Sequence, residues 1–369
     1  MGYLLTTAIT LNRSSTFIPL MRYFSSYNQI INLKFPKWWR PGTEDSATND
    51  IRRFNIIFSE KYVKNLRYKL RNSKTLMTPL ADKIVNYDAS LINMYILSKL
   101  LYHWAYNYNF QEREKYINSY PHFMTNIQGL DIHFIHVTRC NVEKRRIPLL
   151  LLHGWPSSIM EFYKKIPFKF AKEREMIIPS LPGFGFSSAP TISGFSCIEM
   201  SVVLKNLMLR LGHDKFRVKG GIYGAIIGRV MSILFPQHVI NDDLNMRELH
   251  DYLVKTYFFW ELHEKRISIE QILKKMALFH IQATEMNTIA IGLNDSPAAL
   301  AAYFIEKTLS GTVHLKSFRK EYIMMKFYTE MIDNLMMYWA PQCINTAMRV
   351  YVEQFNNLPN EFNELLKNL

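Results

Sequence analysis

Three short apolar runs, each ending in glycine or proline, divide the middle of the chain: IPLLLLHG at 147–154, MIIPSLPGFGFS at 176–187 and FRVKGGIYG at 216–224. Each reads as a strand and is followed by helical spacing, the alternation of a parallel sheet wound with helices. Before them, from about Pro36 to Val137, aromatic-rich amphipathic stretches such as LINMYILSKLLYHWAYNYNF predict a mostly helical lead-in. It closes on LDIHFIHV, 130–137, whose alternation predicts a strand. After Met246 the spacing is helical again, through DNLMMYWA and TAMRVYVEQF, and predicts a helical lid. No internal repeat interrupts this order, so turn signals and changes of period set the boundaries. They give a basic N-terminal segment over 1–35, an N-terminal region over 36–138, the first part of an α/β core over 139–247, the lid over 248–355 and a tail over 356–369.

At 369 residues and 48% hydrophobic content, the chain can fill one large α/β domain with a lid. Its 45 Lys and Arg against 31 Asp and Glu leave a formal charge of +14. The basic residues are scattered and accompany no zinc-finger spacing, RNP-like motif or basic helix with heptads, which argues against nucleic-acid binding. A solvated surface accounts for the charge, and the anionic face of an intracellular membrane would also suit it. Cys140, Cys197 and Cys343 lie far apart, without CxxC or Cys/His ligand spacing, so neither a disulfide framework nor a structural zinc site is expected and a reducing compartment fits best. The first acidic residue is Glu44. The apolar runs of the basic opening are broken by Asn12, Arg13, Ser14 and Ser15, short of the roughly 20 residues of a membrane span, which leaves an organelle-targeting signal or an interfacial anchor.

The sharpest chemical signal is RVKGGIYGAIIGR, 217–229: a strand, a tight glycine turn and a helix, the shape on which α/β-hydrolases expose a nucleophile. Ile222 stands at the nucleophile position, and an isoleucine has neither a lone pair to attack with nor a proton to exchange.

LLLHGWPSSIMEFYKKIPF at 150–168, followed by IIPSLPGFGFSSAP at 177–190, resembles the microsomal epoxide hydrolases and the juvenile hormone epoxide hydrolases of insects. WWRPGTEDS at 38–46, YPHFMTNIQGLDIHFIHV at 120–137, LMLRLG at 207–212, HIQATEMNTIAIGLNDSPAALAAYFIEK at 280–307 and MMYWAPQCINTAMRVYVEQF at 336–355 extend the likeness over nearly the whole chain in family order. The resemblance implies an α/β-hydrolase fold with a mostly parallel sheet, an N-terminal helical segment and a helical lid. No cofactor and no metal are implied. It also implies an apolar epoxide or lipid-like small molecule as ligand and a place at the endoplasmic reticulum membrane surface, a cytoplasmic or organelle-targeted protein being the alternative.

In that family an aspartate opens the epoxide as a covalent alkyl ester, and a histidine-activated water, the histidine oriented by an acid, hydrolyses it. The matching nucleophile position is Ile222. Of the two lid tyrosines that would protonate the leaving alkoxide, one matches Tyr351 and the other falls at Leu278. The histidine and acid belong to strands beyond the lid, and Leu369 comes before them, so a C-terminally truncated member is expected. Backbone N–H groups of Trp155 and Tyr223 would form the oxyanion site. His153, Gly154 and Pro156 form the first turn, and Gly220, Gly221 and Gly224 let the backbone make the strained second one.

The remaining histidines and carboxylates offer no substitute. His153 is expected as a packed, hydrogen-bonded residue, and His133 and His136 fall on opposite faces of a period-two strand. Asp242 and Asp243 would cost several kcal/mol if buried unpaired, and mark a frayed strand better than a new nucleophile. Three functions follow: the family hydrolysis in a diverged copy, a non-catalytic binder of an apolar terpenoid or epoxy lipid, or the product of a decaying gene. The sequence leaves the oligomeric state open.

Overall fold

The computed structural model describes residues 37–42, 48–73, 94–138, 147–164, 166, 175–221, 223–240, 277, 280–310 and 321–356. Its strands are β1 (Arg52–Phe54), β2 (His122–Ile127), β3 (Leu130–Val137), β4 (Leu149–Leu152), β5 (Met176–Pro179) and β6 (Arg217–Gly220). They form one sheet in the order β1-β2-β3-β5-β4-β6. The three apolar runs read from the sequence are β4, β5 and β6, and they pair in parallel with β4 in the middle. Every residue of β4 and β5 is buried, which is why these strands carry continuous apolar runs rather than an alternation.

The sheet is mixed, because β3 pairs antiparallel with β5 and continues through β2 to β1. The lead-in expected to be mostly helical therefore supplies two strands besides β3. β1 has three residues, too few to show a period, and β2 is covered on both faces. Between β2 and β3, Gln128 and Gly129 both take left-handed φ angles, 53° and 83°, while Ile127 faces Leu130 across the turn. That is a two-residue hairpin whose twist matches the strands it joins.

Helices α1 (Glu60–Arg71), α2 (Met94–Tyr102) and α3 (Phe110–Ile117) precede the hairpin, with a π turn at His103–Asn107. α4 (Cys197–Arg210) leads into β6 and α5 (Tyr223–Leu234) leaves it. Ser196 and Glu199 cap α4 reciprocally, satisfying its first N–H groups. The C-terminal layer is α6 (Met286–Asp295), α7 (Pro297–Ser310), α8 (Glu321–Trp339) and α9 (Ile344–Asn356), helical as the spacing after Met246 predicts. None of the described helices is long and apolar enough to cross a membrane. Cys197 and Cys343 are buried free thiols. Beyond β6, Phe216 and Val239 form a parallel bridge; Asp242 and Asp243, a few residues on, lie outside the described residues, as do the N-terminal segment and Cys140.

Candidate active site

Two turns at the C-terminal tips of parallel strands build the site, and the lid helices hold them. The first follows β4 and runs His153, Gly154, Trp155, Pro156, with a cis peptide between Trp155 and Pro156. His153 is 1% exposed and uses both ring nitrogens: Nδ1–H donates to the Gly154 carbonyl at 3.0 Å, and Nε2 accepts from the Leu181 N–H at 3.1 Å. Burial pushes its pKa down to about 4. With both nitrogens engaged inside the protein, His153 pins the turn to the segment after β5 and has no lone pair left for a water.

Helix α8 grips the same turn from the other side. Asn334 Nδ2 donates to the Pro156 carbonyl at 2.7 Å, the Ser158 hydroxyl donates to Asn334 Oδ1 at 2.7 Å, and the Tyr338 hydroxyl donates to the Ser157 carbonyl at 2.5 Å. Asn334 and Tyr338 carry no role in the sequence reading. Their signal was the polar pair Asp333-Asn334 inside the otherwise apolar MIDNLMMYW, since polar groups on a buried helix face need partners.

The second turn runs from β6 into α5. Gly221 N–H donates to the Leu152 carbonyl at 3.1 Å, which places the two turns in direct backbone contact. Gly220, Gly221 and Gly224 are needed for closeness rather than for a left-handed backbone, which none of them adopts. A Cβ on Gly224 would stand 2.1 Å from Leu152 O, and one on Gly220 would stand 2.3 Å from the Gly224 backbone. The strained backbone expected of the glycines is thus absent at Gly220, Gly221 and Gly224, which are demanded instead by the first turn pressing against them. Ile222 lies outside the described residues, between the described neighbours Gly221 and Tyr223.

The lid meets both turns through aromatic rings. The buried Trp155 ring lies edge-on to Tyr351 at 5.9 Å and to Tyr303 at 5.9 Å, with Phe304 also at 5.9 Å, and its indole N–H has no partner among the described residues. Tyr351 in turn lies 6.5 Å from Tyr223 at 32°. Rings at these separations attract through their quadrupoles beyond the area they bury. Helix α9 is fixed for this contact by the loop after β5: Thr346 Oγ1 donates to Gly183 O at 2.6 Å, Arg349 Nη1 donates to Pro190 O at 3.0 Å, and Glu353 Oε2 accepts from Gly194 N–H at 2.8 Å. Trp155, Tyr223 and Tyr351, far apart in sequence, therefore converge, joined by Tyr303 and Phe304, which the sequence reading did not single out. Leu278 lies outside the described residues.

His133 and His136 point to separate places. His133 bonds His122 and Ser180 inside the sheet, and His136 bonds Glu175 at the strand's far end.

The sequence profile of the epoxide hydrolase N terminus matches residues 51–162, and that of the alpha/beta hydrolase fold matches 147–241. Juvenile hormone epoxide hydrolase of Bombyx mori is 37% identical over 360 residues, covering 88% of this chain and 75% of that protein. Epoxide hydrolase 1 of Oryctolagus cuniculus is 33% identical over 348 residues, covering 86% and 76%. The crystal structure of the Bombyx mori juvenile hormone epoxide hydrolase superposes with a TM-score of 0.73 at 38% identity, over 89% of this chain and 81% of that one. Two touching strand-tip turns, a parallel core and a helical cover thus define an α/β-hydrolase fold. The chain belongs, within that class, to the microsomal and juvenile hormone epoxide hydrolase family.

Proposed function

We propose that this chain binds a lipophilic epoxide between the strand-tip turns and the lid without hydrolysing it. The observation that carries the reading is the contrast between an aromatic roof that still closes on both turns and an isoleucine at residue 222. Apolar burial supplies affinity whether or not a nucleophile is present, so binding of an apolar ligand can outlast the chemistry. The kinship with juvenile hormone epoxide hydrolases makes a terpenoid epoxide the first ligand to try.

The residues take the following roles. The N–H groups of Trp155 and Tyr223 face a ligand oxygen, and the Tyr351 hydroxyl donates to an epoxide oxygen. Asn334, Tyr338 and His153 hold the first turn in place. Ile222 replaces the carboxylate that would form the ester, and Leu278 replaces the partner of Tyr351. A location at the endoplasmic reticulum surface accompanies this reading, supported by the resemblance to the microsomal enzymes and by the basic opening of the chain.

Single-turnover incubation with a lipophilic epoxide, read by mass spectrometry of the intact protein and by diol in the supernatant, tests the assignment of residue 222. The wild type is expected to give neither covalent adduct nor diol. The Ile222→Asp variant is expected to accumulate one ester per chain. Adduct or diol from the wild type would return the chain to the family's hydrolytic reaction, carried by a nucleophile other than residue 222.

A further inference from the structure

A cluster at the opposite end of the sheet from the lid plays no part in that site. His136 sits near the end of β3, Glu175 immediately precedes β5, and His213 follows α4. Because β3 runs antiparallel to β5, its last residues lie beside the first residues of β5: Val137 pairs with Met176 and His136 with Ile177. His213 reaches the same place through a helix stop. Gly212, at φ 82°, ends α4 while its N–H donates to Leu209 O at 2.9 Å and the His213 N–H donates to Met208 O at 2.9 Å. That pair of bonds is a Schellman closure, a rigid device that fixes the direction in which His213 leaves the helix.

His136 Nε2 hydrogen-bonds Glu175 Oε1 at 2.5 Å, and His213 Nε2 lies 3.2 Å from the same oxygen. One donor atom from each of the three side chains falls within 4.8 Å of the other two, and all three residues are half-buried. The His213 nitrogen is buried and, though near Glu175, is not aligned to hydrogen-bond it. Three donor atoms therefore crowd one point while only the His136–Glu175 pair is hydrogen-bonded, and an ion held there would satisfy the His213 nitrogen as well.

We propose that His136, Glu175 and His213 form a structural site for a divalent transition-metal ion of the zinc class. Two imidazoles and one carboxylate are borderline donors suited to Zn2+ and poorly suited to Mg2+ or Ca2+, which favour all-oxygen shells. With metal–ligand bonds of about 2.0–2.2 Å, neighbouring ligand atoms stand roughly 3–4 Å apart, so small side-chain rotations seat the ion. Three protein ligands leave a fourth position to water. The parallel strands of four residues put the site roughly 13 Å along the strands from the lid-facing turns, outside reach of a ligand held there. Its action is to clamp the antiparallel meander, the start of β5 and the end of α4 together. These residues are 39 and 38 positions apart, as 175−136 and 213−175, with no ligand-spacing motif among them, so only the fold brings them together.

Equilibrium dialysis of the untagged full chain against Zn2+ tests this, with X-ray absorption at the zinc edge on the loaded wild type. One equivalent is expected, its shell showing two imidazole nitrogens and oxygen at about 2.0–2.2 Å. Zinc is expected to raise the melting temperature by several degrees. His136→Gln, Glu175→Gln and His213→Gln should each lose that shift and weaken binding at least about tenfold. No bound equivalent, a shell without imidazole, or undiminished binding in all three variants would overturn the proposal. Because the absorption spectrum reads the wild type, it decides the matter even if a variant fails to fold.

Discussion

Replacing Asp333 by alanine is expected to lower the unfolding free energy by about 3–5 kcal/mol, measured by denaturant titration. Asp333 is 1% exposed on α8 and accepts three hydrogen bonds from the N-terminal region. Its Oδ1 takes the Tyr108 hydroxyl at 2.8 Å and Arg113 Nε at 3.0 Å, and its Oδ2 takes Arg113 Nη2 at 2.6 Å. Burial pushes its carboxyl up, and Arg113 and then Tyr108 work against that shift. The opposing causes carry the energetic point: a buried pair is worth little net, but removing one partner leaves the other desolvated and unpaired. Arg113, which also lies 4.0 Å over the Tyr116 ring, and the Tyr108 hydroxyl would both be stranded. Arg113→Met combined with Asp333→Leu should therefore cost less than the sum of the single changes, and strict additivity in that cycle would contradict the account. The loss also bears on function, since residue 334 next door and Tyr338 one turn on hold the Trp155 turn. A loosened α8 should weaken ligand binding along with stability.

Acidification is expected to produce the second large loss. His153 is neutral in the folded chain, its pKa pushed down from 6.5 to about 4 by burial. His133 and His122 are lowered in the same direction, first by desolvation, with His122 also acting on His133. The geometry explains the refusal of a proton. His122 Nε2 lies 2.9 Å from the Ile117 carbonyl and can only donate there, so its Nδ1 accepts from His133 Nε2 at 2.8 Å. His133 Nδ1 then accepts from the Ser180 hydroxyl at 2.9 Å. A further proton at the His122–His133 contact would set two N–H donors face to face, while at His133 Nδ1, where the Ser180 hydroxyl can turn to accept, burial is what opposes the charge. The folded pKa lies below the unfolded one, so the unfolded chain binds protons that the folded chain rejects. Stability is then full above about pH 6.5 and falls as pH drops toward the folded pKa. His153 alone accounts for about 2 kcal/mol at pH 5 and about 3 kcal/mol once the pH is below 4. Denaturant midpoints between pH 7.5 and 5 check this, and a flat profile would contradict the burial argument.

The parts of this architecture legible in the sequence are those with an uninterrupted local signal. β4 and β5 announce themselves as apolar runs closed by glycine or proline, because buried parallel strands tolerate no polar face, and β6, in which Val218 alone is buried, is marked by the glycine turn that follows it. The helices after Met246 follow from their spacing. β1 and β2 were hidden because one is three residues long and the other has neighbours on both faces, so neither shows a period of two. At the site, the turn residues were found from their motifs, and Tyr351 was found by family likeness. Asn334, Tyr338, Tyr303 and Phe304 were not, since each acts across more than a hundred residues of chain onto a turn that only the fold brings near. The glycines illustrate the same limit. Their identity signalled a special backbone, but crowding from Leu152 and His153, not a left-handed φ, is what requires Gly224.

The most direct test of the central claim is the melting temperature of the purified chain across a titration with a terpenoid epoxide, with the epoxide recovered and quantified afterwards. Binding without chemistry predicts a saturable rise, worth about 2.7 kcal/mol at a hundredfold excess over the dissociation constant, with the epoxide returned intact. A melting temperature indifferent to the epoxide, or its conversion to diol, would contradict the account.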